Sequence, residues 1–515
     1  MKRVLASVSL SGPLPARLAA AAAAGFDGVE IAEGDLATSP LSARDIAARV
    51  HELGMTVEMY QPLRDIEGVA EADLGSALAR MDRAFDLAGQ LGTTRVQIAS
   101  NVETAVSGDL PRTANQLRRV AERAAHHGMT VAWEPVGWAR YLRLHAQGRD
   151  LVEAVDHPAL GLCLDLFHFA CGGEPAAVLR TIPASRIAFV QLNDKPRMDG
   201  DLLAISRVHR LLPGQGDADV DAYVAELIAT GYDGPVSVEV FDERGRLGPP
   251  DRVAQVAATA LDTVLRDAGR PPVPAIRGLV RVDLPAATIA VLAQVGIVSP
   301  ALTSTDACRI GAITWSGAES ARADELRELA PVPSDIADEA PDPAVLGLTL
   351  ATDQLDEMTL YARRALGLQV ERGAQVAGSR SPLRPLLGRD GDIVRLRIDH
   401  ADAGVGPAVD GITLLVDNLT AVATLARDAD LSQEVPAGYY DILSVRSALT
   451  EPEIRQLQQH RLTLDTTAAG PKRRLTLPTP GVIIELVDQP GSSAASEVDA
   501  ATLRQVRAWL NQNSS

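Results

Sequence analysis

Cysteine and lysine are scarce in this sequence, and each shortage removes a class of chemistry. The three cysteines are scattered and form no CxxC pair, which excludes a disulfide framework and a cysteine-based zinc site and favours a reducing cytoplasm. Lysine also occurs only three times, so a Schiff-base mechanism would depend on Lys195 alone. Carbonyl chemistry in this chain would therefore need another electrophile, such as a metal ion.

Positive charge and long hydrophobic runs are also in short supply. The 49 basic residues face 67 acidic ones, the net charge is -18, and no long Lys/Arg cluster offsets it. Nucleic acids and anionic membranes are therefore not expected partners. No stretch approaches the roughly 20 apolar residues of a membrane span. The alanine tract at 19–24 follows Pro13 and Pro15, which favours a strand, a loop and a helix over a signal peptide.

Short apolar runs alternate with Ala/Leu/Arg-rich helical segments up to about residue 265. Segments such as "LSARDIAARVHELG" and "LPRTANQLRRVAERAAHHG" end in a glycine directly before the next run, as expected of helix C-caps. Eight β-then-α units of this size are typical of a (β/α)8 barrel. A doubly wound sheet is disfavoured, because no GxGxxG follows the first strand. The predicted strands are residues 3–10, 28–33, 56–62, 95–100, 130–135, 161–168, 187–194 and 235–241.

The pattern changes after residue 268. The Pro-rich stretch "GRPPVPAI" (269–276) is predicted to link the barrel (1–268) to a second domain (277–515). That domain contains a weak repeat, "GLTLATDQL" and "GITLLVDNL", in which a strand runs into an Asp-led helix. Together with later strands such as "GDIVRLRID" and "GVIIELVD", the repeat predicts an α+β domain of paired βαβββ modules.

Oxygen-bearing side chains stand at the ends of the last four predicted barrel strands. Strand ends meet at one rim of a barrel, so these side chains are expected to lie within a few ångströms of one another. Three carboxylates there would repel, and a divalent cation such as Mg²⁺ or Mn²⁺ is the simplest neutraliser. Taken singly, each acid is better explained as an ordinary strand-end group bonded to backbone amides or arginine. The four residues are Glu134, Asp165, Gln191 and Glu239.

One histidine and two arginines complete the candidate site. His168 lies three residues beyond Asp165 in "LGLCLDLFHFA", which is predicted as a buried strand. It is not needed as a ligand, and its imidazole titrates near neutral pH, so it is expected to act as a base. Arg64 and Arg210 could bind an anionic substrate, because guanidinium matches carboxylate or phosphate. Either arginine could equally be an ordinary surface residue.

Several stretches of the first 245 residues resemble a known family, among them "FDGVEIAEGDL", "QPLRDIEG", "AWEPVGW", "DHPALGLCLDLFHFA", "FVQLND" and "GYDGPVSVEVFDE". They resemble the sugar phosphate isomerase/epimerase-like (xylose isomerase-like) TIM barrels, and within them the bacterial 3-dehydroshikimate dehydratases. The resemblance implies one divalent ion, Mg²⁺, Mn²⁺ or Co²⁺, on the four residues above, and a proton-moving His168. "LNDKP" and Val208 depart from the expected "LADAP" and histidine. The implied substrate-facing residues are Tyr60, Arg64, Ser206 and Arg210.

The second domain resembles the 4-hydroxyphenylpyruvate dioxygenases, which have a vicinal oxygen chelate fold. In that family the stretches matching "GLTLATDQL" and "GITLLVDNL" open with an iron-binding histidine, whereas Gly347 and Gly411 stand here. The resemblance leaves only Glu485 as a ligand, so we expect neither bound iron nor dioxygenase activity. We expect this domain to serve dimerisation or stability, in a homo-oligomer, ahead of a regulatory role.

The resemblance implies dehydration of 3-dehydroshikimate to protocatechuate through a metal-stabilised enolate. His168 would accept the activated proton, and Arg64 or Arg210 would hold the carboxylate. A sugar or inositol isomerase, epimerase or dehydratase on the same barrel is the alternative, and a ligand sensor without catalytic activity is another. Nine histidines and a net charge of -18 disfavour a multi-zinc DNA-repair endonuclease.

Overall fold

A computed structural model divides the chain into two compact units, Met1–Pro271 and Pro272–Ser515. None of the helices in the described part of the chain is long and apolar enough to cross a membrane. The structure describes residues 1–196, 200–241, 248–269, 278–294, 302–305, 314–316, 336–337, 345–352, 355–364, 370–371, 386–388, 395–400, 408–416, 418–446, 449–467, 470–479 and 482–487.

Eight parallel strands close the first unit into a barrel. They are β1 (Lys2–Ala6), β2 (Gly28–Ala32), β3 (Thr56–Leu63), β4 (Arg95–Ala99), β5 (Thr130–Glu134), β6 (Leu160–Asp165), β7 (Ile187–Leu192) and β8 (Pro235–Val238). Each strand pairs with the next along the chain, and β8 pairs with β1. The strands are almost wholly buried, because helices cover them outside and side chains fill the interior. This closed arrangement confirms the predicted (β/α)8 barrel.

Helices follow the strands of the barrel, and most of them cover its outside. They are α1 (Leu14–Ala23), α2 (Glu33–Ala37), α3 (Ala43–Glu52), α4 (Glu71–Gln90), α5 (Leu110–His126), α6 (His145–Val155), α7 (Leu166–Gly172), α8 (Leu202–Val208), α9 (Val220–Ala229) and α10 (Pro250–Asp267). Helix α5 shows how the sequence defines them. Asp109 accepts a hydrogen bond from the Arg112 N–H and begins the helix, and Leu117 and Val120 are fully buried. Gly128, with φ of 67°, takes the left-handed conformation that ends it.

Three predicted strands end three or four residues earlier than expected, and one of them, 235–241, ends at Val238. The run 3–10 leaves the sheet at Ala6, and Ser7–Ser9 forms a turn of 3-10 helix. The run 161–168 ends at Asp165, because its carboxylate accepts a hydrogen bond from the Phe167 N–H and thereby caps α7. His168 therefore lies on a short helix rather than on a strand, and the helix brings its side chain back over the barrel end.

The described residues of the second unit form one mixed sheet with helices between its strands. The strands are β9 (Gly278–Pro285), β10 (Leu302–Thr305), β11 (Thr314–Ser316), β12 (Ile336–Ala337), β13 (Val345–Thr352), β14 (Val370–Glu371), β15 (Leu386–Gly388), β16 (Arg395–His400), β17 (Ala408–Leu415), β18 (Thr463–Thr467), β19 (Gly470–Thr479) and β20 (Val482–Val487). The helices are α11 (Ala286–Gln294), α12 (Leu355–Arg364), α13 (Leu419–Asp428), α14 (Ala437–Arg446) and α15 (Glu451–Gln459). The central strands run in the order β12-β11-β9-β13-β17-β20-β19-β18.

The two sequence repeats each contribute a strand to the middle of this sheet. The first repeat gives β13, α12, β14, β15 and β16, in the predicted βαβββ order. In the second, three helices separate β17 from β18, β19 and β20. Gly347 and Gly411 lie on β13 and β17, which pair with each other. The side chain of Glu485 and all of the predicted linker except Gly269 lie outside the described residues.

Candidate metal centre and active site

A cavity of about 220 Å³ opens in the barrel unit where the strands end. Its lining brings together six of the nine residues predicted from the sequence, namely Arg64, Glu134, His168, Ser206, Arg210 and Glu239. Tyr60, Asp165 and Gln191 do not line it. Residues to which the sequence analysis gave no role also line it, among them Gln61, Trp138, Arg207 and Phe241.

Asp165 is the most firmly held of the carboxylates. The Phe167 N–H and the Asn193 side-chain amide each donate a hydrogen bond to its Oδ1, both over 2.8 Å. Arg210 Nη1 donates to its Oδ2 over 2.7 Å. Burial alone would raise the pKa of Asp165, but Arg210, His168 and these hydrogen bonds outweigh burial and lower it. Asp165 is therefore a carboxylate in the folded protein.

Glu134 and Glu239 are in the opposite situation. Both are buried, with 5% and 4% of their surface exposed. Burial, and then repulsion from Asp165 and Glu239, raises the pKa of Glu134 well above its ordinary value. Burial also raises the pKa of Glu239, with Asp165 adding to the rise and Arg210 opposing it. The raised pKa values show that negative charge in this cluster is under-compensated, which is the condition that a bound divalent cation relieves.

Arg210 supplies part of the missing positive charge. It is 2% exposed, and its Nη1 lies 3.0 Å from Glu239 Oε2 as well as 2.7 Å from Asp165 Oδ2. Its other nitrogens donate to Ser206 Oγ. The guanidinium therefore bridges two carboxylates and is anchored by α8. The sequence predicted an arginine facing the substrate, whereas the structure shows one whose donors are already engaged with the acidic cluster.

His168 faces the carboxylates with its Nε2. Its Nδ1 accepts a hydrogen bond from the Gly137 N–H over 3.1 Å, and Arg210 Nη2 lies 3.4 Å from its Nε2, so an N–H donor faces each ring nitrogen. Nε2 lies 3.7 Å from Asp165 Oδ2 and 3.9 Å from Glu134 Oε1. Burial lowers the pKa of His168 to about 3, with Asp165 opposing the fall and Arg210 adding to it. The imidazole is therefore neutral at physiological pH.

Three side chains form the compact cluster that fits a cation. One ligand atom from each of Glu134, Asp165 and His168 lies within 4.8 Å of the other two. Carboxylate oxygens with an imidazole nitrogen are donors that suit divalent ions such as Mn²⁺, Co²⁺ and Zn²⁺, and Mg²⁺ is bound through the carboxylates. These groups form a site suited to a divalent metal. The structure thus adds His168 to the groups that could hold an ion, although the sequence analysis did not count it as a ligand.

Gln191 is in register with Asp165 across β6 and β7, but its amide contacts other groups. Its Nε2 donates to Glu30 Oε2 over 2.9 Å. Its Oε1 lies 3.3 Å from Cys163 Sγ and 3.4 Å from Gln97 Nε2. Glu30 is fully buried, and burial followed by repulsion from Glu239 raises its pKa well above the ordinary value. The sequence signal for Glu30 was a lone acid inside the apolar run "GVEIA", the same signal that drew attention to Asp165.

On β3 the residue that lines the cavity is Gln61, the neighbour of the predicted Tyr60. Tyr60 is 4% exposed, and burial followed by the charge of Glu33 raises its pKa to about 12. Gln61 lines the cavity instead and donates a hydrogen bond from Nε2 to Glu239 Oε1 over 2.7 Å. Side chains alternate along a strand, so Tyr60 and Gln61 point to opposite sides of the barrel wall.

Asp194 organises the loop that carries Arg210. Its Oδ2 accepts hydrogen bonds from the Gly214 and Gly216 N–H groups, over 3.1 and 2.8 Å. Its Oδ1 accepts from the N–H groups of Lys195 and Ala218, over 2.8 and 3.0 Å. This residue belongs to the "LNDKP" stretch that departs from the expected family pattern. Its carboxylate holds the loop closed beside the cavity.

The comparisons with known proteins bear on both units. Residues 18–264 match the family described as xylose isomerase-like TIM barrel. The chain is 42% identical over 266 residues to a 3-dehydroshikimate dehydratase of Pseudomonas putida, and 43% identical over 250 residues to one of Pseudomonas aeruginosa. These matches cover 52% and 48% of this chain but 41% and 39% of those proteins, so the chain matches about two fifths of their length.

One solved structure is similar over the whole chain. It is described as a xylose isomerase-like TIM barrel/4-hydroxyphenylpyruvate dioxygenase fusion protein. It is 25% identical, with a TM-score of 0.73, and the match covers 99% of both chains. The resemblances of both domains predicted from the sequence are thereby confirmed.

Proposed function

We propose that this chain, whose residues 18–264 match the xylose isomerase-like TIM barrel family, is a metal-dependent lyase that dehydrates 3-dehydroshikimate to protocatechuate. The observation that carries the proposal is a cavity that holds buried acids, a neutral imidazole and several guanidinium groups together. The similarity to two 3-dehydroshikimate dehydratases supports the choice of substrate. A cyclic substrate with a ketone, neighbouring hydroxyl groups and a carboxylate matches these three kinds of group.

The metal would be held by Glu134, Asp165, Gln191 and Glu239, with His168 beside them. A divalent ion at this position supplies Lewis-acid stabilisation of the negative charge that develops on the ketone oxygen when a neighbouring C–H is deprotonated. Gln61 supports the position of Glu239 through its 2.7 Å hydrogen bond. The low exposure of the acids keeps bulk water from screening their charges.

His168 would move protons at its Nε2, the ring nitrogen that faces the carboxylates. The hydrogen bond from the Gly137 N–H to Nδ1 holds the ring plane. As a base, His168 would accept the C–H proton on the lone pair of an unprotonated Nε2 and become an imidazolium. As an acid, it can deliver the same proton to the departing hydroxyl group, since both roles use one atom. Trp138, whose ring centroid lies 4.8 Å from that of His168, packs on the imidazole and limits access of water.

The remaining roles concern orientation. Arg64 lines the cavity and would bind the substrate carboxylate, and Ser206 would orient a hydroxyl group. Loss of water and tautomerisation give an aromatic ring, which makes the reaction practically irreversible. We also infer that the protein works in the cytoplasm as a homo-oligomer, and that its second domain binds no catalytic iron, because glycines replace two of the three expected ligands.

The test is turnover of 3-dehydroshikimate by the purified full chain, followed as the appearance of catechol absorbance. We expect activity with added Mn²⁺ or Mg²⁺, loss of activity after chelation, and recovery on adding the ion back. Glu134→Gln is the decisive variant, because the raised pKa of Glu134 means that a neutral side chain is compatible with the fold. It should fold, bind the ion more weakly and lose most activity, whereas the surface variant Glu122→Gln should behave like the wild type.

The alternative function is separated by the same assay. A sugar or inositol isomerase would leave 3-dehydroshikimate unchanged and interconvert sugar or inosose substrates under the same metal conditions. No catechol absorbance at any metal concentration, with a folded protein, would contradict the proposed function.

A further inference from the structure

The cavity contains three arginines that differ in how their charge is compensated. Arg210 is 2% exposed and is bonded to two carboxylates and a hydroxyl. Arg64 and Arg207 also line the cavity. Among the residues that the structure describes, no carboxylate lies within ion-pair distance of the side chain of either. Among the described residues, Arg64 and Arg207 are therefore the arginines of the cavity that form no close ion pair, and Glu239 and Glu134 act on Arg207 only from a longer distance.

Arg207 is held in place by an aromatic ring rather than by an acid. Its guanidinium carbon lies 5.1 Å from the ring centroid of Phe241, which follows β8 and lines the same cavity. It is also the residue directly after Ser206 on α8, three residues before Arg210. A guanidinium stacked on a ring keeps its edge nitrogens available, so Arg207 presents donors without a competing partner.

The surroundings of Arg207 destabilise its charged form when no anion is bound. Burial, and then the positive charges of Arg64 and Arg210, lowers the pKa of Arg207, and the carboxylates of Glu239 and Glu134 only partly oppose that fall. Like charges gathered in a cavity are stabilised when an anion enters between them. A carboxylate suits this place, because it can accept two parallel hydrogen bonds from a guanidinium.

We propose that Arg207, together with Arg64, binds the carboxylate of the substrate and so determines which end of the molecule faces the acidic cluster. The inference rests on the proposed function, and it names the substrate class as cyclic carboxylates that carry oxygen groups at the end away from the carboxylate. Arg210 is not the carboxylate-binding residue, because its Nη1 and Nη2 are engaged by Asp165, Glu239 and Ser206. In this cavity Arg210 thus balances the charge of the acids, whereas Arg64 and Arg207 bind the anion.

Steady-state kinetics of Arg207→Gln on 3-dehydroshikimate, with saturating Mn²⁺, test the role of Arg207 in turnover. We expect KM to rise about tenfold or more while kcat stays within about threefold, since the lost contact is made before and during the reaction alike. Arg207→Lys keeps the positive charge but loses the planar guanidinium that can donate two parallel hydrogen bonds. Its KM should therefore lie between that of the wild type and that of Arg207→Gln. Arg83→Gln, at an exposed position on α4, is the matched control and should not change KM.

A pair of ligands tests the same contact without turnover. Protocatechuate and catechol share two adjacent hydroxyl groups and differ only in the carboxylate. By calorimetry the wild type should bind protocatechuate at least tenfold more tightly than catechol, and Arg207→Gln should remove most of that preference. Thermal unfolding of each variant shows whether it is folded. If Arg207→Gln does not fold, Arg207→Lys decides by the same measurement.

The outcomes separate the two proposals. An unchanged KM and an unchanged preference for protocatechuate in a folded Arg207→Gln protein would overturn the role of Arg207 and leave the proposed function intact. A wild type that does not turn over 3-dehydroshikimate would overturn the proposed function, while the ligand pair would still decide the role of Arg207. A wild type that binds both ligands equally, or neither, would overturn the inference itself.

Discussion

Arg210 Nη1 lies 2.7 Å from Asp165 Oδ2, and the two side chains are 3% and 0% exposed. The same nitrogen is 3.0 Å from Glu239 Oε2, so one buried cation offsets two buried carboxylates. Removing one partner of such an arrangement leaves charge without compensation in a medium of low dielectric. A guanidinium and a divalent ion are attracted to the same oxygens, so either can provide the compensation.

Arg210→Gln should therefore destabilise the metal-free protein more than the metal-bound protein. We expect the free energy of unfolding without metal to fall by about 3 kcal/mol, because Asp165 and Glu239 lose their buried counter-charge. Saturating Mn²⁺ should raise the melting temperature of the variant by more than that of the wild type. Thermal unfolding with and without Mn²⁺ measures both effects.

The control for Arg210 is an exposed ion pair. Arg49 and Glu52 on α3 are 43% and 65% exposed, so Arg49→Gln should change the free energy of unfolding by less than about 1 kcal/mol. If Arg210→Gln were equally destabilising with and without metal, Arg210 would act only as a packing residue of the loop.

His168→Gln should separate proton transfer from metal binding. A positioned acid or base contributes about 10²- to 10⁴-fold to kcat, so we expect a fall in that range. The dissociation constant of Mn²⁺, measured by calorimetry, should change little if the carboxylates hold the ion. A loss of metal affinity as large as that of Glu134→Gln would instead make His168 a ligand, as its place in the cluster allows. His126→Gln, at an exposed position, is the control.

The barrel was predictable because its signal is spread over the whole first unit. Apolar runs separated by amphipathic helices, with Gly54 and Gly128 in the left-handed conformation after α3 and α5, leave few other arrangements. That polar residues gather at the strand ends followed from the same order, since adjacent parallel strands bring Asp165 and Gln191 into register. Strand ends were less predictable, because a single hydrogen bond from Phe167 to Asp165 converts the end of the run at β6 into a helix.

The direction of side chains could not be predicted in the same way. A strand buried on both sides shows no alternation of polar and apolar residues, so the sequence did not say whether Tyr60 or Gln61 faces the cavity. For the same reason Glu30 was not recognised as part of the buried polar group around Gln191. The guanidinium of Arg210 is engaged by Glu239 and Asp165, which lie 29 and 45 residues away in sequence. No local sequence pattern indicates contacts over such separations.

Glu67 should make the stability of the protein depend on pH. Burial raises its pKa to about 7 from an ordinary value of 4.5, although the Asn101 N–H donates a hydrogen bond to its Oε1. The folded state therefore holds this proton more tightly than the unfolded state. The resulting stability is fully present below about pH 4.5 and is lost as the pH rises through 7, and its full size is on the order of 3 kcal/mol.

Glu67→Gln removes this titration, so the difference in unfolding free energy between variant and wild type should shift in favour of the variant between pH 5 and 8. Urea unfolding at a series of pH values measures that difference directly. Glu122→Gln, at an exposed site on α5, should give a flat difference over the same range. A difference for Glu67→Gln that does not change with pH would mean that Glu67 is ionised throughout.

Gly216 should not tolerate a side chain, because its backbone packs on Asp194. A Cβ at this position would overlap the Asp194 carboxylate and lie 2.8 Å from the Lys195 carbonyl oxygen. Since Asp194 also accepts hydrogen bonds from the N–H groups of Gly214 and Ala218, its displacement would disturb the whole loop that carries Arg210. Gly216→Ala should reduce the free energy of unfolding by about 2 kcal/mol and lower kcat/KM.

The matched control is another glycine in the same unit. Gly75 lies at an exposed position inside α4, and a Cβ there would meet no atom within 4 Å. Gly75→Ala should stabilise the protein by about 0.5–1 kcal/mol, because alanine loses less conformational entropy than glycine when a helix forms. Urea midpoints of the two variants should therefore move in opposite directions from the wild type. A Gly216→Ala protein with the wild-type midpoint and unchanged kcat/KM would show that the loop around Asp194 can adjust without moving Arg210.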